Sequence, residues 1–179
     1  TTIIYVTHDQ VEALTMSTKI ALFKAGELSQ VATPMELYMN PIDLQAADFI
    51  GNPRINFLEG TAYLTEDGLH VKSELREHLF PKSDLTDEPI PEGEFPCVVA
   101  VRPEQVRISR QNIPGSIPVQ VYANQPAGSE TLVSLRAGRS DFLAKQIGLT
   151  EYALDENVYV EIPPEKINIY DAKSTRLIK

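Results

Sequence analysis

The chain has 179 residues, 42% of them hydrophobic and 23% charged, which is ample for a buried core. No apolar run approaches the roughly 20 residues of a membrane-spanning helix. No basic, apolar leader is visible, so no signal peptide is expected. The single cysteine, Cys97, excludes an internal disulfide framework and a Cys-rich zinc site. With 16 basic and 25 acidic residues the net charge is −9, which argues against nucleic acid as the main partner.

The chain opens Thr1-Thr2-Ile3-Ile4 without a methionine, and a fragment of a longer protein is the expectation. Thr2–Val6 is a short run rich in β-branched residues and reads as a buried strand. His8 follows it. Asp9 then caps a helix with Glu12 at its third position, the pattern of a capping box, and Val11, Leu14 and Met16 supply its apolar side. Ile20–Phe23, the turn Lys24–Glu27 and Leu28–Val31 read as a hairpin, with Gly26 at a positive φ in the turn. Thr33-Pro34-Met35-Glu36 is a second capping box, with proline at the first helical position, and Asn40-Pro41 ends that helix. A third helix is expected over residues 43–50, capped by Gly51.

Composition changes near Gly51-Asn52-Pro53-Arg54. Residues 1–52 hold two of the 13 prolines and residues 53–179 the other eleven. Beyond the boundary nine strands are expected, near 57–64, 69–73, 97–102, 106–109, 117–123, 131–136, 141–146, 157–162 and 167–170. Val158, Val160 and Ile162 alternate with polar neighbours, as a half-buried strand requires. Val98–Val101 is continuously apolar and suits a strand covered on both faces. Leu85–Gly93 is an acidic, proline-rich loop, expected to be mobile. Short strands at this spacing indicate a sandwich or small barrel.

His8 is the most informative single residue. It stands at the carboxyl end of an apolar strand and just before a capped helix, the edge where α/β folds bind ligands. A histidine there can donate to a phosphate or shuttle a proton. Its surroundings, Thr7-His8-Asp9-Gln10-Val11-Glu12-Ala13-Leu14-Thr15, closely resemble the switch-histidine segment of ATP-binding-cassette (ABC) transporter ATPases of the maltose and glycerol-3-phosphate importer type. The resemblance continues in order along the chain. It takes in the Ile20–Val31 hairpin, Thr33–Tyr38 with Asn40-Pro41, and Phe49–Pro53 with Asn56-Phe57. Arg102-Pro103-Glu104, Gly128-Ser129-Glu130-Thr131 and Pro163-Pro164-Glu165-Lys166 follow. Each motif alone is weak to moderate, and the ordered set is specific.

The resemblance implies a mainly β fold. Residues 53–179 would be a regulatory domain of tandem small oligomer-binding (OB)-like β-barrels. Residues 1–52 would be the α/β tail of a nucleotide-binding domain. It implies that His8 contacts the γ-phosphate of ATP and helps hold the attacking water, with Mg2+ and ATP as cofactors of the full-length protein. Implied partners are a second ATPase subunit, transmembrane permease subunits and, in some relatives, a regulatory protein. The implied location is cytoplasmic, on the inner face of the membrane. For Arg102, Pro103, Glu104, Gly128, Ser129 and Glu130 a structural or regulatory role is expected. Pro103 would end a strand, Arg102 and Glu104 would bond neighbouring backbone or each other, and Gly128 and Glu130 would shape a hairpin. Ala127, Gln105 and Ser174-Thr175 depart from the residues usual in the family.

Most of the ATPase machinery is missing from this sequence. There is no G-x-x-x-x-G-K-[ST] loop to wrap phosphates, no Gly-rich signature, and no apolar strand ending in Asp-Glu. In the family all three precede the switch histidine, so the chain alone is expected to be inactive. Elsewhere, Cys97 reads as a buried inert thiol. His70 and His78 read as a solvated face rather than a metal site. Asp84, Asp87, Glu88, Glu92 and Glu94 lack calcium-loop spacing. Two rival readings are a stand-alone OB-like module sensing a small anion or sugar, and a hydrolase using His8 and Asp9. Adjacent residues at a strand end diverge, which disfavours the second. A phosphate loop encoded within about 200 residues upstream separates the first rival from the ATPase reading.

Overall fold

The computed structural model describes all residues, Thr1–Lys179. The N-terminal quarter holds α1 (Gln10–Met16), β1 (Ile20–Lys24), β2 (Glu27–Ala32), α2 (Pro34–Met39) and α3 (Leu44–Phe49). Ten strands follow: β3 (Asn56–Leu64), β4 (Leu69–Ser73), β5 (Glu77–Phe80), β6 (Glu94–Val101), β7 (Arg107–Ser109), β8 (Ile117–Pro126), β9 (Glu130–Ala137), β10 (Ser140–Ile147), β11 (Asn157–Glu161) and β12 (Ile167–Asp171). The expected mainly β class and OB-like build are present. No helix is long and apolar enough to cross a membrane.

Local chemistry accounts for the helix ends and the first hairpin. Asp9 Oδ1 accepts from the Val11 and Glu12 amides and caps α1. The expected reciprocal box is not formed there. The Glu12 carboxylate takes the Thr7 and Tyr5 hydroxyls instead, and Thr7 Oγ1 receives the Asp9 amide at 2.9 Å. At α2 the full box forms between Thr33 and Glu36, with Pro34 in the first turn. The turn joining β1 and β2 has positive φ at both Ala25 and Gly26, matching the twist of a two-residue hairpin.

The β half is two five-stranded sheets with antiparallel neighbours throughout, in the orders β12-β6-β3-β4-β5 and β10-β9-β8-β11-β7. The last strand of the chain joins the first sheet, so the second sheet is inserted between β6 and β12. Alternation carries the packing. Along β9, Thr131, Val133, Leu135 and Ala137 point inward and their neighbours outward. The two sheets share one core of 23 buried residues, including Leu58, Val71, Val99, Val121, Leu135 and Ile169. Strand β6 is covered on both faces, as its unbroken apolar run required. Cys97, Val99 and Val101 face the main core, whereas Ala100 joins Ala47, Ile55, Tyr170 and Leu177 in a second cluster. Ala46 and Ala47 of α3 are both buried, and such small residues let a helix lie close to a sheet.

Three expectations need correction. Thr2–Val6 is not a strand, and its side chains are exposed, Ile4 at 89% and Val6 at 90%. A single strand needs a ladder partner for its backbone groups, and no strand of the chain lies beside it. Strand β5 was not expected. Glu77-His78-Leu79-Phe80 buries only Phe80, so an edge strand here carries almost no apolar pattern. The Leu85–Gly93 loop is tied down: Thr86 bonds the Ile178 and Leu177 carbonyls, and Leu85 and Ile90 pack on the core.

Candidate functional site

His8 lies in the extended segment just before α1, with an exposed side chain that takes no hydrogen bond from the chain. The Thr7–Glu12 and Asp9 contacts fix the backbone on both sides of it. Its imidazole is therefore held on a defined base and left open to an approaching group.

The Arg102-Pro103-Glu104 motif lies elsewhere, where the β half meets the helices. Pro103 opens the 3-10 turn that follows β6, as expected of a strand terminator. Arg102 and Glu104 do not bond each other; both reach across to the N-terminal quarter. Arg102 is buried, and its Nε and Nη2 donate to the Tyr38 carbonyl at 3.1 and 2.6 Å. Its Nη1 donates to the Ile50 carbonyl at 2.6 Å. The guanidinium carbon lies 3.8 Å from the centroid of the Tyr38 ring. The Tyr38 hydroxyl in turn donates to Glu104 Oε1.

This clasp solves a backbone problem. The last carbonyls of a helix have no partner within it. Several of those at the ends of α2 and α3 are met by side chains of the β half, Arg102 at Tyr38 and Ile50 and Asn168 at Met39, and Tyr170 donates to the Pro41 carbonyl just beyond α2. Gly51 belongs to the same fit. Its φ is +114°, and a Cβ there would stand 2.6 Å from Arg102 Nη1. On the far side of this turn, the Gln10 amide donates to the Phe49 carbonyl and accepts from the Gly51 amide at 2.7 Å.

Burial lowers the basicity of Arg102. Burial first, and the Glu104 contact second, push the Tyr38 phenol up to about 12 from its usual 10.0. The folded state therefore favours the neutral phenol. That contribution is complete below pH 10 and is lost as pH rises through about 12. An alkaline titration followed by tyrosinate absorbance is expected to show a late phase, and Tyr38→Phe to diminish it. An unchanged late phase would remove Tyr38 from this role.

Gly128, Ser129 and Glu130 form the β8–β9 turn, far along the chain from both His8 and the clasp. Gly128 has φ +81° in open space, the Ser129 carbonyl accepts from the Gly148 amide at 2.8 Å, and Glu130 pairs with Lys145 at 2.6 Å. All three residues lie at or beside the β8–β9 turn. Cys97 is buried and its thiol is pushed up to about 12 by burial, which makes it inert. His70 stacks on Tyr63 and His78 on Phe80. No group of three His, Cys, Asp or Glu residues is placed to hold a metal ion. Beside the clasp is an open cleft of about 330 Å3. Lys166 and Lys179 face it together with Asp84 and Glu165, so it is not built for an ion of one sign.

Sequence reasoning missed Gln10, Tyr38 and Asn168 as contact residues. Arg102 and Tyr38 are 64 positions apart, and no spacing rule links them.

Comparison with known proteins places this architecture. A TOBE domain model matches residues 99–169. The uncharacterized ABC transporter ATP-binding protein YcjV of Escherichia coli O6:H1 is 31% identical over 97% of this chain and 47% of its own length. The trehalose/maltose import ATP-binding protein MalK of Thermococcus litoralis is 35% identical over 99% of this chain and 48% of its own length. The xylose/arabinose import ATP-binding protein XacJ of Haloferax volcanii is 33% identical over 97% and 46%. The chain thus spans about half the length of the curated relatives it matches. Among solved structures, the cytoplasmic molybdate-binding protein ModG superposes with a TM-score of 0.48 at 12% identity, covering 64% of this chain and 94% of that one, a likeness too loose to bear on function. The match runs through the His8 segment as well as the β half, so the chain is similar along its whole length to about half of these ABC transporter ATP-binding proteins, and residues 99–169 match a TOBE domain.

Proposed function

We propose that the chain is the carboxy-terminal part of a longer ATP-binding, energy-coupling subunit of a carbohydrate-type ABC importer, and that His8 is its switch histidine. The observation that carries this reading is the extent of the match. Sugar-import ATP-binding proteins align over 97–99% of the chain, residues before the TOBE domain included. The sugar named for each relative belongs to that relative. The exposed, unbonded imidazole of His8 just before a capped helix also supports the reading.

ATP and Mg2+ do not fit a site made by these residues alone. The sequence has no phosphate loop, and no cluster of metal ligands forms. The nucleotide site belongs to a segment upstream of Thr1. The subunit works with permease subunits at the cytoplasmic face of the membrane and pairs with a second ATPase subunit, and the β half is where a regulatory protein would act.

The test uses the longer protein. His8→Ala is expected to reduce ATP hydrolysis by about 10²–10³-fold, the loss typical of one contact aimed at developing charge, with nucleotide binding largely retained. Unchanged turnover would sink the switch assignment. Residues 1–179 alone are expected to show no turnover, and measurable hydrolysis would sink the fragment reading.

A further inference from the structure

We propose that Gln10 is a positioning residue for His8, and that Arg102 sets the same position from the β half. The three-residue turn Phe49–Gly51 is held from two sides. Gln10 grips its first carbonyl and its last amide, and Arg102 Nη1 grips the Ile50 carbonyl between them. Gln10 is the first residue of α1 and lies two positions after His8.

Helix α1 has no fully buried residue; Ala13 and Leu14 are half-buried and the helix touches α2, so its hold on the fold is light and the Gln10 bonds are what join it to the turn. Residues 1–6 are exposed, and the side-chain bonds of the segment before His8, from Tyr5 and Thr7, go to Glu12 and Asp9 at the start of α1 rather than to the rest of the fold. His8 is instead fixed to α1 by the Thr7, Asp9 and Glu12 contacts, and α1 is fixed to the turn by Gln10. A shift of Arg102 therefore moves the turn, the turn moves Gln10, and Gln10 moves His8. The side chain at position 10 must donate to one backbone group and accept from another. An amide does both, whereas a carboxylate would accept from Gly51 but oppose the Phe49 carbonyl.

The coupling is testable without nucleotide, and only its catalytic consequence rests on the switch-histidine reading. The chain has three histidines, so NMR can follow the His8 ring individually. Arg102→Lys keeps the charge but cannot span both carbonyls. It is expected to shift the resonances of His8, Asp9 and Gln10, and this response is expected to vanish when Gln10→Ala is added. Gln10→Ala alone should speed hydrogen exchange of the buried Gly51 amide about tenfold, and Gln10→Glu less. If Arg102→Lys moves Tyr38 and Ile50 but leaves His8 in place, or moves His8 equally in the Gln10→Ala background, the coupling is overturned.

In the longer protein, Gln10→Ala is expected to lower kcat about tenfold or more, with KM for ATP within about twofold, as misplacement of a reacting group does. A normal kcat for Gln10→Ala alongside an inactive His8→Ala overturns the positioning role. An active His8→Ala overturns the switch assignment and leaves the NMR-tested tether standing.

Discussion

Arg102→Ala is expected to lower the unfolding free energy by about 3–5 kcal/mol, the sum for two abandoned carbonyls and a lost cation–π contact. The Tyr38 and Ile50 carbonyls both receive this guanidinium, and α2 and α3 offer them no other donor. The Tyr38 ring would lose the group stacked on it, and the Tyr38–Glu104 bond would lose its neighbouring positive charge. The size of the effect comes from burial, since Arg102 is only 5% exposed. Arg102→Lys is expected to cost about 2 kcal/mol, since an ammonium can satisfy one of the two carbonyls but lacks the planar fork. Urea denaturation measures both. A loss below about 1 kcal/mol for the alanine variant would mean that water satisfies the carbonyls and that the clasp contributes little.

Gly68→Ala is expected to be as damaging, for a steric reason. Gly68 has φ +145°, and a Cβ there would stand 2.1 Å from the Phe80 carbonyl oxygen and 3.2 Å from Pro81 Cα. Both obstacles are backbone, so no rotamer change relieves them. Its neighbour Leu69 pairs with Phe80 across the β4–β5 ladder, and both are buried in the main core. Making room means separating these strands. A cost of about 3–5 kcal/mol follows from overpacking added to the unfavourable backbone region. Gly128→Ala is the control. Its φ is also positive, but nothing lies within 4 Å of the added carbon, so only about 1 kcal/mol is expected. Equal losses at the two positions would show that φ alone, and not the contact with Phe80, decides the cost.

Several parts of the fold were legible because their causes are local. The Thr33–Glu36 box, the Gly26 turn and the alternating strands each depend on residues a few positions apart, and each is where it was expected. The double-sided burial of β6 was legible from an unbroken apolar run. Thr2–Val6 has an equally good strand pattern and is not one, because pattern states a preference while a ladder needs a neighbour. Strand β5 fails the opposite way: it has neighbours and little pattern.

The candidate site divides along the same line. The residue order Thr7–Thr15 was enough to place helix α1 and its Asp9 cap just after His8, because capping is short-range chemistry, whereas the strand expected before His8 is absent. The sequence also determined the mainly β class. What Arg102 does, and that Gln10 and Arg102 hold one turn from opposite sides, was decided only by the tertiary structure. A guanidinium or an amide carries the same hydrogen-bonding capacity wherever it stands. Which carbonyls it meets depends on how residues 64 and 39 positions away are folded against it.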